Sequence, residues 1–203
     1  MLEFKVLMPG DDLFDDVTRL CEESYWNCNL LDEECSFNEN PDHYCIVRCR
    51  DVIVATLGVF VKTAEKPLPI DGVMLYPNDS QGMVEIELGR LSFIRKPRTK
   101  KDLIEILSIT RFLFKNLYFH AEEKFGSYVI YFETYKTIIK LLKAAFGNGF
   151  IIPLKSFLVW DRIPEERKGF YSKFSGGDAG LFQVDLNLFR EAIGIRYGAV
   201  ASA

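Results

Sequence analysis

The sequence predicts an α/β (α+β) protein. It has one central, curved, mixed sheet flanked by helices, with a β-bulge in the strand at 84–94. Three observations predict it. Short β-rich runs bounded by turn residues outnumber the helical runs. Three of those runs follow one another before the longest helix. The spacing Thr99-Lys-Lys-Asp102 is that of a capping box and marks where that helix begins.

Leu2–Met8 reads as a first strand closed by Pro9-Gly10. Asp11 or Asp12 can cap a helix running to about Trp26, with Leu13, Val17, Leu20 and Cys21 on one face. Residues 27–42 are acidic, Asn-rich and irregular. Tyr44–Cys49 and Val52–Lys62 form a hairpin turning at Arg50-Asp51. Residues 63–82 make a long loop with a short strand near Val73–Tyr76. The strand at 83–94 comes next. In the helix from Thr99, Leu103, Leu107, Thr110, Phe114, Leu117 and Ala121 recur at helical steps, so a buried stripe is expected. Gly126 stops it. Tyr128–Glu133 is a strand, and Lys136–Phe146 a helix ended by Gly147-Asn148-Gly149. Phe150–Ile152 and Phe157–Trp160 read as two closing strands, and 161–203 as a C-terminal extension of a single domain spanning 1–203. Within it, Leu186, Phe189, Ala192 and Ile193 suggest a short tail helix.

With 203 residues, 48% hydrophobic and 27% charged, the composition is that of an ordinary globular protein. A net charge of −4 argues against a nucleic-acid partner for the chain as a whole. The charge is uneven. Residues 1–50 carry 12 acids and 4 bases, a net of −8, whereas 90–101 hold six bases and no acid. That local excess is a candidate anion site, or a solvated basic turn. No apolar run approaches the roughly 18 residues of a membrane span, so stable membrane insertion is not expected. No signal segment opens the chain, and a cytoplasmic protein is the expectation. Five cysteines fit reduced thiols rather than a disulfide framework. Cys21, Cys28 and Cys35 do not have zinc-ligand spacing, and no metal is expected.

The candidate site is the stretch from Val84 to Asp102. Glu87 is the candidate catalytic base, the alternative being an exposed strand carboxylate. Arg90 is the second catalytic candidate, with a salt bridge to Glu85 or Glu87 as the plainer alternative. In a regular strand positions 87 and 90 face opposite ways. A bulge at 88–91, for which Gly89 is suited, would put them on one face. It would also offer the backbone of Leu88, Gly89 and Leu91 to a carrier. Arg95, Lys96, Arg98, Thr99, Lys100 and Lys101, at the start of a helix, are candidate phosphate-binding residues.

Glu87-Leu-Gly-Arg90-Leu-Ser-Phe93 resembles a strand of the acyl-homoserine-lactone synthases and the long-chain N-acyl amino acid synthases, within the GNAT acyltransferase superfamily. Leu141-Leu-Lys-Ala-Ala-Phe-Gly-Asn-Gly149-Phe150 is similar to the helix ending in Gly-Phe of many GNAT proteins. The resemblance covers roughly residues 1–160. The usual Gly-rich pyrophosphate loop is replaced by Arg95-Lys-Pro-Arg-Thr-Lys-Lys101. Cys21–Trp26 lacks the Arg that lactone synthases carry in the first helix, and Ala145 stands where many acetyltransferases have a Tyr acid.

The resemblance implies an N-acyltransferase. It would move an acyl group, expected to be fatty, from acyl-CoA or acyl carrier protein to the amine of an amino acid or similar small molecule. A GNAT-fold module that binds the carrier without turnover, and an ordinary acetyltransferase, stay open. An apolar slot for the acyl chain would draw on Phe112, Phe114, Tyr118, Phe119, Tyr131, Phe132 and Phe146, with Phe157 and Trp160 closing it. The same aromatics could equally be plain core. Asp32, Glu33, Glu34, Glu39 and Asp42 could cover an acceptor amine or form a solvated loop. His43 and His120 have no evident task.

Overall fold

A computed structural model describes residues 1–26, 39–78, 80–93, 99–175 and 179–194. Its main sheet has seven strands in the order β1-β2-β3-β5-β6-β9-β7. These are β1 (Leu2–Leu7), β2 (His43–Cys49), β3 (Val52–Val61), β5 (Val84–Phe93), β6 (Tyr128–Tyr135), β7 (Ile151–Pro153) and β9 (Ala179–Val184). All neighbours are antiparallel except β5 and β6, so the sheet is mixed as expected. Helices α1 (Phe14–Trp26), α2 (Lys100–Phe125), α3 (Lys136–Phe146), α4 (Lys168–Ser175) and α5 (Leu186–Ala192) surround it.

The sheet's alternation explains how its faces are covered. Cys45, Val47, Leu57, Val59, Ile86, Leu88, Ile130 and Phe132 point to α2 and α3. Tyr44 and Ile46 pack under α1 with Phe14, Val17 and Cys21. Phe60, Val129 and Tyr131 pack under the 63–78 loop and α4, against Leu68, Ile70 and Tyr171.

Helix α2 begins as the capping box requires. The Thr99 hydroxyl accepts from the Asp102 N–H at 3.2 Å, and the Asp102 carboxylate accepts from the Thr99 N–H at 2.8 Å. Its buried stripe is shifted from the expected one. Ile106, Ile109, Leu113 and Tyr118 join Thr110, Phe114, Leu117 and Ala121, while Leu103 is 45% exposed. Helix α1 starts at Phe14, so neither Asp11 nor Asp12, the expected caps, stands directly before it. The Asp11 carboxylate accepts from the Met8 N–H and caps the turn before the helix.

Two further readings are corrected. Phe157–Leu158 forms β8, which pairs with the two-residue β4 (Met74–Leu75) in a separate ribbon and does not close the main sheet. The closing strand is β9, in the Gly-rich stretch that carries no strand signal, and it lies between β6 and β7.

His43, which has no evident task in the sequence, is a core residue. It opens β2 fully buried, its ring 5.1 Å from that of His120 on α2, and neither of its nitrogens has a hydrogen-bond partner among the described residues. Burial, then Lys124, then His120 hold its pKa down at about 4, against a smaller opposing effect of Asp42. The folded imidazole is therefore neutral, while the unfolded one protonates near its ordinary 6.5. Stability from this group is present above that value and is lost as pH falls towards about 4. Crossing the whole interval costs about 3 kcal/mol, at about 1.4 kcal/mol per unit. His43→Leu is expected to flatten this loss, as measured by melting at mildly acidic and neutral pH.

Candidate functional site

The site is built where β5 leaves β6. The two strands pair only over Val84–Glu87 and Tyr128–Tyr131. Immediately beyond, β5 carries the expected bulge. Thr56 pairs with Ser92 and Gly58 with Gly89, so Arg90 and Leu91 together face Leu57. The left-handed residue is Arg90 (φ 55°), not Gly89. Gly89 serves a close approach instead: a Cβ there would lie 3.2 Å from the Phe60 ring. The Arg90 carbonyl is met by the Thr56 hydroxyl at 3.5 Å and the Cys21 thiol at 3.8 Å.

Parting of the strands opens a cleft of about 760 Å³. One wall is β5 from Leu88 to Phe93, and the other is β6 from Phe132 to Tyr135. Leu57, Phe114 and Leu142 line it with apolar carbon, as do Leu107 of α2 and Leu141 of α3. Ser24 and Tyr25 of α1 also reach it. Leu103, one turn into α2, lines it too, which places the start of that helix at the cleft's edge.

The bulge has the consequence foreseen for Glu87 and Arg90. The Glu87 side chain lies on the α1 side of the sheet, 3% exposed, where it accepts the Ile70 N–H at 2.9 Å. Arg90 is 7% exposed on the same side; its guanidinium lies 5.4 Å from the Phe60 ring centre and donates to the Tyr44 hydroxyl at 2.8 Å. Glu85 is engaged elsewhere, by Lys62 at 3.0 Å and Asn78 at 2.8 Å. Of the pair, Arg90 lines the cleft, together with Leu88, Gly89 and Leu91, and Glu87 lies behind the lining.

The group that reaches the cleft beside them is Glu133, on β6. Glu87 and Tyr131 are register partners, so Glu133, two residues on, has the same facing. Its side chain is 7% exposed. Both its oxygens accept from the Tyr171 hydroxyl at 2.9 Å, and Arg167 donates to one at 3.1 Å. Burial raises the Glu133 pKa above the ordinary carboxylate range, opposed by Arg167 and Tyr171. Burial, and after it the nearby Glu133 charge, raises Glu87 well above that range, against the Ile70 N–H and Arg167. Burial also pushes the Tyr25 hydroxyl upward, helped by Cys21 and Glu133. Two neighbouring carboxyls displaced in this way favour sharing one proton.

The remaining expectations divide. Arg95, Lys96, Arg98, Asp32, Glu33 and Glu34 lie outside the described residues. Thr99 spends its hydroxyl on the helix cap, while Lys100 and Lys101 are exposed on the first turn of α2. Asp42 is a structural clamp: its carboxylate accepts the Val61 N–H at 2.7 Å and pairs with Lys66 at 2.8 Å. Of the aromatics assigned to a slot, Phe114 and Phe132 line the cleft. Tyr131 is buried on the α4 side, and Phe157 and Trp160 are exposed on and beside the β4–β8 ribbon. Among the described residues, no group of three or more His, Cys, Asp or Glu is placed to hold a metal ion, and no helix is long and apolar enough to cross a membrane.

Glu133, Arg167, Tyr171 and Tyr25 were not singled out from the sequence. The available signals were weak. Glu133 is a lone charge at the end of the apolar run Tyr128–Phe132, and Arg167 and Tyr171 have the four-residue spacing of one helix face.

No family model and no curated protein matches the sequence. Solved structures do match the fold. One is FeeM, an N-acyl amino acid synthase from uncultured soil microbes, at 11% identity and TM-score 0.59, covering 95% of this chain and 94% of that one. The acyl-homoserine-lactone synthase LasI matches at 11% identity and 0.58, covering 96% and 95%. BjaI, a CoA-dependent acyl-homoserine-lactone synthase solved with SAM and isopentyl-CoA, matches at 14% identity and 0.56, covering 96% and 90%. The chain has the GNAT fold.

Proposed function

We propose that the protein is an N-acyltransferase that moves a fatty acyl group from a phosphopantetheine thioester to the amine of an amino acid or similar small molecule. The observation that carries this reading is the cleft at the β5 bulge, with an apolar lining on the α2–α3 side and Arg90 and Glu133 at its polar edge. Leu57, Leu88, Phe114, Phe132 and Leu142 form a lining suited to a chain longer than acetyl. The donor is acyl-CoA or acyl carrier protein. Its phosphate lies towards Lys100 and Lys101 at the start of α2, with Arg95, Lys96 and Arg98 adding charge. The backbone at Leu88, Gly89 and Leu91 runs along the pantetheine arm. Arg90 orients the thioester carbonyl or an acceptor carboxylate. Glu87 takes part in freeing the acceptor amine of its proton. Because Glu87 stands behind the cleft lining, the proton passes through a group that reaches the cleft.

Incubation with acetyl, octanoyl and palmitoyl thioesters of CoA and of acyl carrier protein, against a panel of amino acids and amines, tests this by product mass. N-acylated product, formed faster from the longer donors, is expected. No product from any pair sinks the proposal. The slot itself is checked by Leu141→Trp, a half-buried lining position. Excluding two methylenes at about 0.8 kcal/mol each should lower kcat/KM for palmitoyl about tenfold and spare acetyl.

A further inference from the structure

Resting on that acyl-transfer reading, we infer that Glu133 is the catalytic carboxylate that takes the proton from the acceptor amine in the cleft. Tyr171 and Arg167 fix its carboxylate, and Glu87 stands behind it as the group it shares the proton with. Three observations carry this. Of the two buried carboxylates, Glu133 lines the cleft and Glu87 does not. Both share one side of the sheet through the Glu87–Tyr131 register. Tyr171 holds both oxygens of Glu133 and Arg167 holds one, so the group is fixed before any substrate arrives. A structural ion pair tying the turn before α4 to the sheet would need only the Arg167 contact. That the same residue also lines the cleft is what points to chemistry.

The acceptor enters as an ammonium ion, drawn to the carboxylate pair. It gives one N–H proton to a Glu133 oxygen, which makes its lone pair available. That lone pair forms the C–N bond at the thioester carbonyl carbon. The C–S bond then breaks, and a second N–H proton from the adduct goes to the departing sulfur, leaving the amide and the carrier thiol. Glu133 shares its proton with Glu87 and returns it to solvent after product release.

Among the described residues, Glu87 on β5, Tyr25 on α1, Arg167 and Tyr171 are charged and titratable groups facing Glu133. The wild-type rate should therefore rise with pH as the pair loses its proton. Glu133→Gln, of the same shape, should lower kcat at least about 100-fold and abolish that limb, leaving a rate that follows the amine's own free base. Tyr171→Phe keeps the carboxylate and removes the hydroxyl whose hydrogen bonding favours its charged form. It should lower the plateau rate and move the limb to higher pH. The inference is overturned if Glu133→Gln keeps wild-type kcat, if it loses rate with an unchanged profile, or if Tyr171→Phe leaves the limb in place. An inactive wild-type chain would sink the acyl-transfer reading and this inference together. An active wild type beside an unimpaired Glu133→Gln would sink this inference alone.

Discussion

Glu87→Gln is expected to slow turnover by about two orders of magnitude and, at the same time, to raise the melting temperature at neutral and alkaline pH. The two effects have one cause. The carboxyl is 3% exposed and stands near a second carboxyl on the next strand, so its charged form is disfavoured. A carboxyl held above its unfolded value binds its proton more tightly when folded. It stabilises the fold below the ordinary value of 4.5, and that contribution is lost as pH rises through the folded value. The amide has no such titration. Its oxygen can still accept the Ile70 N–H, so the local structure is retained. The gain in melting temperature should grow from pH 5 to pH 8, opposite in slope to the loss from His43. About two orders of magnitude is the lower end of what a positioned base contributes, as suits a group that acts through another. A variant as active as wild type would remove Glu87 from the mechanism. A variant no more stable at pH 8 than at pH 5, relative to wild type, would show that the carboxyl is not held protonated.

Much of the fold could be read from the chain because its local signals agree with its tertiary ones. Thr99 and Asp102 form their capping box, Gly147 follows the end of α3, and the Arg50-Asp51 corner turns the β2–β3 hairpin. The bulge was legible because Glu87 and Arg90, three apart, would face opposite ways in a regular strand, and Gly89 between them suits a bulge that puts them on one face. Its detailed geometry was not. The expected signal, Gly89, serves to admit the Phe60 ring, while the left-handed residue is an arginine fixed by its side-chain contacts. What was illegible depends on partners distant in sequence. Strand β9 contains Gly180 and has no marked alternation; it becomes a strand because β6 and β7 offer it edges on both sides. His43 showed no evident task in the sequence, and only the packing of β2 against α2 buries it. Glu133 acquires meaning from Tyr171, 38 residues away, and from Glu87 across the sheet.

Arg90→Gly and Arg90→Ala should separate the two jobs of the bulge residue. Both remove the guanidinium from Tyr44 and Phe60, so both should lose about 100-fold or more in turnover if Arg90 orients the reacting carbonyl. They differ in the backbone. At φ 55° an L residue with a Cβ is strained by about 1–2 kcal/mol, and glycine is not. Because the lost side-chain contacts are almost the same, they cancel in the comparison, and Arg90→Gly should be the more stable by roughly 1 kcal/mol. Arg90→Ile, branched at Cβ in the same conformation, should be the least stable of the three. Arg90→Lys keeps the charge but loses the planar fork that reaches both Tyr44 and the Phe60 face, so its turnover should lie between wild type and alanine. Denaturant melts together with kcat on one donor–acceptor pair decide the matter. If glycine proves no more stable than alanine, the left-handed backbone does not outlast the arginine. If Arg90→Gly turns over like wild type, Arg90 only shapes the bulge, and orienting the carbonyl falls to the β5 backbone.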